Sequence, residues 1–169
     1  MNTAELLTDA FQRIHEIVTG SVDGLTAEQL ATRPNGTGNS IAWLVWHLTR
    51  IQDDHVADVA GRPQVWLNDG WVERFGLPLD PADHGYGHSS EQVDAVRPAS
   101  ADLLIGYHDA VHEQTLRYLS TLKDADLDRV VDSSWDPPVT LGVRLISVIS
   151  DDLQHAGQTS YAAGLLKLS

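Results

Sequence analysis

In the segment SDDLQHAGQ, residues 150 to 158, Asp151 and His155 stand four positions apart within an otherwise largely apolar stretch. On a helix that spacing puts both side chains on one face, where a carboxylate oxygen and an imidazole nitrogen can meet on a metal ion at ~2.0–2.2 Å. Gln158 prolongs the same polar stripe. The spacing equally describes a solvated acid–histidine pair worth a few tenths of a kcal/mol. Ile146, Ile149, Leu153 and Ala156 form an apolar stripe on the other side, an arrangement that would turn Asp151 to water. Spacing alone leaves both readings open.

A third ligand has to come from another helix. In NSIAWLVWHLTRIQDDHVADVAG, His47 falls between Leu44 and Ile51 on one stripe and is expected to point inward, as a ligand or as a core histidine satisfied by one hydrogen bond. Asp54 lies on the same stripe but ~10 Å further along the axis, and His55 further still, so neither can join His47 on one ion. A rival pair sits in YHDAVHE, where His108 and His112 are one turn apart with Glu113 beside them and Leu104, Thr115 and Leu119 near by. His15, His84 and His88 have no partner at ligand spacing. His88 precedes a capping-box sequence from Ser89 to Gln92, and surface exposure is expected for it, with substrate contact as the alternative.

The elements that must carry these residues read as all-α. One helix is expected from Ala4 to Thr19, stopping before Gly20, and a short one after Thr26, where Gln29 completes a capping box. Pro34 and Gly36 interrupt the chain before a helix from Asn39 or Ser40 to Ala60, closed by Gly61 and Pro63. Residues 61–98, rich in Pro and Gly and carrying Trp66, Trp71 and Tyr86, read as a long ordered connection with the character of a lid. A third long helix is expected from Ser100 to Leu122, then a broken stretch through DSSWDPP, then a fourth from Thr140 to Leu166. Four long helices with one long crossover loop between the second and third define a four-helix bundle, expected as one domain over residues 1–169.

Composition narrows the chemistry. The 169 residues include no cysteine, which removes disulfides, thiolate metal sites and a protein thiol nucleophile, so any sulfur chemistry must use a borrowed thiol. A formal charge of −13 with no basic cluster opposes binding to nucleic acid or to an anionic membrane. No apolar run approaches the ~20 residues of a membrane span. MNTAELLTDAFQRIHEIV reads as an amphipathic helix and not as an export signal, so a cytoplasmic location is expected. There is no GxSxG elbow, HExxH pair or phosphate-cradling loop.

WLVWHL in the second long helix and DDLQHAGQ in the fourth resemble the DinB superfamily of metal-binding four-helix proteins, over most of the chain. The resemblance implies that His47, Asp151 and His155 hold a divalent metal, most often zinc or nickel. Many relatives carry His where this chain has Asp151, and the mycothiol-dependent maleylpyruvate isomerases carry Glu. The wider wording, with WVERFGL and GYGHSSEQV, is similar to the mycothiol S-transferase branch. That implies an enzyme conjugating mycothiol, activated as a metal-bound thiolate, to an electrophilic small molecule in detoxification.

Two imidazoles and one carboxylate leave a coordination position open and suit Zn²⁺, with Ni²⁺ or Fe²⁺ as alternatives. Asp54, Gln158, Trp71, Tyr86 and His88 are the residues expected to orient substrate. Two other functions compete: a metal-dependent hydrolase using hydroxide, and a non-catalytic metal- or ligand-binding stress-response bundle. The expected partners are a small thiol and an electrophile, and the chain is expected to be a monomer or a homodimer.

Overall fold

The computed structural model describes residues 1–166. Helix α1, Thr3–Val22, opens on a capping box in which Asn2 Oδ1 accepts from the Glu5 amide at 2.8 Å and Glu5 Oε2 accepts from the Asn2 amide at 2.9 Å. It runs past the expected stop at Gly20, and the extra turn buries Ser21 and Val22. That burial offsets the ~1 kcal/mol a helical glycine costs relative to alanine. Helix α2, Ala27–Ala31, carries the Thr26–Gln29 capping box. Helix α3, Ile41–Ala60, is capped by Ser40 and closed by Gly61 in the left-handed region.

The connection from 61 to 98 is more regular than its Pro and Gly content suggests. It holds α4, Val65–Asn68, α5, Trp71–Phe75, and α6, Ser90–Ala95, the last with the expected Ser89–Gln92 capping box. Two buried charged residues of α3 pin it down. Asp53 accepts the amides of Val65 and Trp66 at 2.9 and 2.8 Å and the Tyr107 hydroxyl at 2.9 Å. Arg50 donates to the Asp83 carbonyl at 3.1 Å and to Gln64 Oε1 at 2.8 Å, with its guanidinium over the Trp66 ring. The segment expected as a lid is therefore a wall fastened to the bundle.

Helix α7, Ala101–Leu119, starts at the Ser100 cap and ends one turn before the expected Leu122. The stretch around DSSWDPP, expected to be merely broken, is the turn of a small hairpin of β1, Val130–Asp132, and β2, Val139–Thr140, paired antiparallel. These strands were too short to show alternation in the sequence. Helix α8, Leu141–Leu166, follows directly.

Helices α1, α7, α3 and α8 close a ring, each packing on its two neighbours. Bonds from Thr49 to His108 and from the Tyr118 hydroxyl to the Val59 carbonyl show that α3 and α7 run parallel, which is why a long crossover joins them. Ring contacts of Trp43 with His155, and the bond between His55 and Arg144, show that α8 runs antiparallel to α3. The core between them holds Phe11, Ile14, Leu48, Leu104, Tyr107 and Leu145. Among the described residues no helix is long and apolar enough to cross a membrane.

Candidate metal centre

The antiparallel register of α3 and α8 brings His47 opposite Asp151 and His155. One ligand atom from each of the three lies within 4.8 Å of the others, and among the described residues no other group of three His, Asp or Glu does so. His155 Nε2 is 3.6 Å from Asp151 Oδ1, and the two imidazoles meet edge to face at 5.0 Å.

Both rings are oriented from behind. His47 Nδ1 lies 2.5 Å from the carbonyl oxygen of His84, which can only accept, so the proton sits on Nδ1 and the Nε2 lone pair is left for the site. His155 Nδ1 is 3.0 Å from Gln158 Oε1, which fixes the same tautomer when the amide oxygen accepts. Such partners hold ligand rings in place and make them more basic. Burial pushes the His47 imidazole below its ordinary value, against the pull of the His84 carbonyl, so the ring stays neutral as a ligand must.

Asp151 supplies the observation that tests the fit. Its Oδ2 is buried and has no hydrogen-bond partner. A buried carboxylate oxygen without a donor is costly, and a cation at this point removes the cost. Two imidazoles and a carboxylate form a donor set that suits Zn²⁺, Ni²⁺ or Fe²⁺.

The surroundings are built closely. Trp43 stacks on His47 at 4.6 Å between ring centres. Gly85 adopts φ +93°, and a Cβ there would stand 2.7 Å from His47 Nδ1 and 3.1 Å from the Trp46 ring. Only glycine allows this backbone so near the ligand.

A family model of the DinB superfamily matches residues 10–159. The chain belongs to the DinB superfamily. It is also similar to a conserved protein of Enterococcus faecalis of known crystal structure, at 31% identity and a TM-score of 0.92, covering 100% of this chain and 99% of the other. No curated protein matches the chain.

The other residues expected to act as ligands or on substrate separate in this DinB bundle. Gln158 stands behind His155 as its hydrogen-bond partner. Tyr86 is exposed and lines a cavity that also includes Asp151. Trp71 is packed in the core against Phe75 and Tyr107. Asp54 accepts from Gln64 Nε2 at 2.6 Å.

His88 was expected at the surface, but its side chain is only 3% exposed. It accepts from the Trp43 indole at 3.0 Å through Nδ1, lies 2.8 Å from Asp83 through Nε2, and stacks on Trp46. The rival pair is a core feature: His108 bonds Thr49 and His112 bonds Gln12, with the His15 ring stacked against both. His15 had no partner at helical spacing because its partners are on α7.

The cavity beside Asp151 has a volume of about 360 Å³. Its apolar wall comes from Ile51, Val139, Val143 and Val148, and its polar side from His55, Arg144 and Ser147. Trp135, at the tip of the hairpin, is 64% exposed and lines it as well. Sequence reasoning passed over Trp135 and Arg144, and weighed His55 only as a ligand partner of His47. The signals available were an aromatic in a polar, Pro-rich turn and the single basic residue of α8.

Proposed function

We propose that this DinB protein is a metal-dependent S-transferase that joins the sulfur of a small thiol, mycothiol foremost, to an electrophilic carbon. One observation supports it above others: His47, Asp151 and His155 converge at the edge of a cavity of about 360 Å³ in a chain without cysteine. A divalent cation held there would supply acidity, drawing the proton from a thiol of free pKa ~8.5 so that it reacts as thiolate at neutral pH.

The chain's own residues do the rest. His47 and His155 are held in place by the His84 carbonyl and by Gln158. Asp151 contributes the negative charge that matches a cation. Ile51 and Val148 keep water from one wall, while Tyr86 and Trp135 offer ring surface at the mouth. In the reaction a C–S bond forms, the leaving group departs with its electron pair, and the thiol proton passes to solvent. A supply of reduced thiol places the reaction in the cytoplasm.

The test is turnover of monochlorobimane by metal-loaded protein, with mycothiol, with other small thiols and with none. The expected result is a thiol-dependent rate that chelation abolishes and metal restores. Ester or amide hydrolysis without thiol would make the centre hydrolytic, and binding without turnover across an electrophile panel would make it non-catalytic.

A further inference from the structure

The cavity has a second polar end, remote from the triad. Arg144 and Asp151 both line it and are seven residues apart on α8, a rise of ~10 Å. The guanidinium is held from two sides: NH1 donates to His55 Nδ1 at 2.8 Å, and NH2 to Asp132 Oδ2 at 3.2 Å. With its side chain 19% exposed, Arg144 is clamped and still in reach of the cavity. Guanidinium has five N–H donors, and these two bonds are all it makes among the described residues.

The contact with His55 adds a donor. Since Nδ1 accepts from Arg144, the imidazole proton lies on Nε2, and burial together with the Arg144 charge lowers the His55 pKa and keeps the ring neutral. Asp132 pairs with the guanidinium through a single nitrogen at 3.2 Å, so its carboxylate does not use the other N–H donors of Arg144. In a chain of formal charge −13, a fixed cation walled by Val139 and Val143 is placed to recognise an anion carried on an apolar body.

We infer that Arg144, assisted by His55, is the specificity-determining anion contact of this cavity, and that the electrophile is an apolar, preferably aryl, molecule bearing a carboxylate remote from its reactive carbon. The substrate class rests on the S-transferase reading; the anion contact does not. The ~10 Å rise from Arg144 to Asp151 along α8 sets the scale within which the carboxylate, the apolar spacer, the reacting carbon and the attacking sulfur follow in sequence. A para-substituted benzoate has that form. With 4-(chloromethyl)benzoate the thiol sulfur bonds to the benzylic carbon, the C–Cl bond breaks, chloride leaves with the bonding pair, and the thiol proton goes to solvent.

Calorimetric titration with the unreactive pair 4-methylbenzoate and 4-methylbenzamide reads the anion contact without turnover. The wild-type protein should bind the carboxylate about tenfold more tightly than the amide, the preference a charge-assisted hydrogen bond confers. Arg144→Gln should bring the two within about twofold, and Arg144→Lys, which keeps the charge but loses the planar fork that reaches both His55 and Asp132, should retain only part of the preference. Equal affinities in the wild type, or a preference that survives Arg144→Gln, would overturn the inference.

In the conjugation assay, Arg144→Gln should raise KM for 4-(chloromethyl)benzoate about tenfold and leave kcat near its wild-type value. If no thiol is conjugated by the wild type while the carboxylate preference holds, the S-transferase reading fails and the Arg144 anion site stands.

Discussion

The Nδ1 atom of His47 lies 2.5 Å from the backbone oxygen of His84, a residue of the crossover connection. A ligand on one helix is thus aimed by the main chain of a segment 37 residues away. The connection is in turn held by Arg50 through the Asp83 carbonyl and by Asp53 through the amides of α4. The wall that looked in sequence like a lid positions a residue of the candidate metal centre.

Removing a ligand should remove the metal. His47→Ala, Asp151→Ala and His155→Ala are each expected to purify without stoichiometric metal by elemental analysis. His108→Ala and His112→Ala should keep it, because their rings bond Thr49 and Gln12 in the core. Gln158→Ala should weaken metal affinity by about 10- to 100-fold, the usual cost of losing a ligand's outer partner. Competition with a chromogenic chelator measures all six variants.

Gly85→Ala should damage the centre without touching a ligand. Its φ of +93° and the 2.7 Å approach to His47 Nδ1 leave no room for a methyl group. Expected are a loss of about 1–3 kcal/mol in chemical denaturation and weakened metal binding. Gly157→Ala is the control, since a Cβ there meets nothing within 4 Å. It should hold metal as the wild type does.

Acid should destabilise the metal-free protein through the histidine stack. Burial, then the neighbouring His15, pushes His108 down to about 3 and His112 to about 4. In the unfolded chain both titrate near 6.5, so between these values the unfolded state binds more protons. The stability from keeping both rings neutral is therefore complete above about pH 6.5 and is lost as pH falls toward 4 and then 3. Denaturation midpoints at pH 7.5, 6 and 5 should fall steadily in the apo wild type and more gently in His108→Gln. Parallel slopes would rule this source out.

Asp152→Asn should leave the melting temperature of the metal-free protein unchanged or raise it. The Asp152 side chain is fully buried, neither carboxyl oxygen has a partner, and burial with the adjacent Asp151 charge raises its pKa well above the ordinary value. Burial disfavours the ionised carboxyl in the fold, and a neutral amide of the same shape avoids that cost. Asp151→Asn should instead lose metal, which separates the neighbours by elemental analysis and calorimetry.

Much of this protein was legible along the chain. Helical period, caps at Ser40 and Ser100, and the closing Gly61 marked the long helices, because these signals are local. The apolar stripe expected on α8 was misplaced: Ile146 and Leu153 are exposed, and Leu145, Val148 and Asp152 face the core instead. The turn spacing of Asp151 and His155, set beside an inward His47 and the lack of cysteine, already outlined a metal site for a borrowed thiol. What packing alone decided is what depends on cross-helix register.

That register made Asp151 a ligand candidate and turned its neighbour Asp152 into the core. It joined His15 to His108 and His112, it brought the His84 carbonyl to His47, and it set Tyr86, Trp135 and His55 on one cavity with Arg144 and Asp151. A helix's own period tells which residues share a face. Only the packing of helices against one another, and of the crossover against α3, tells what that face meets.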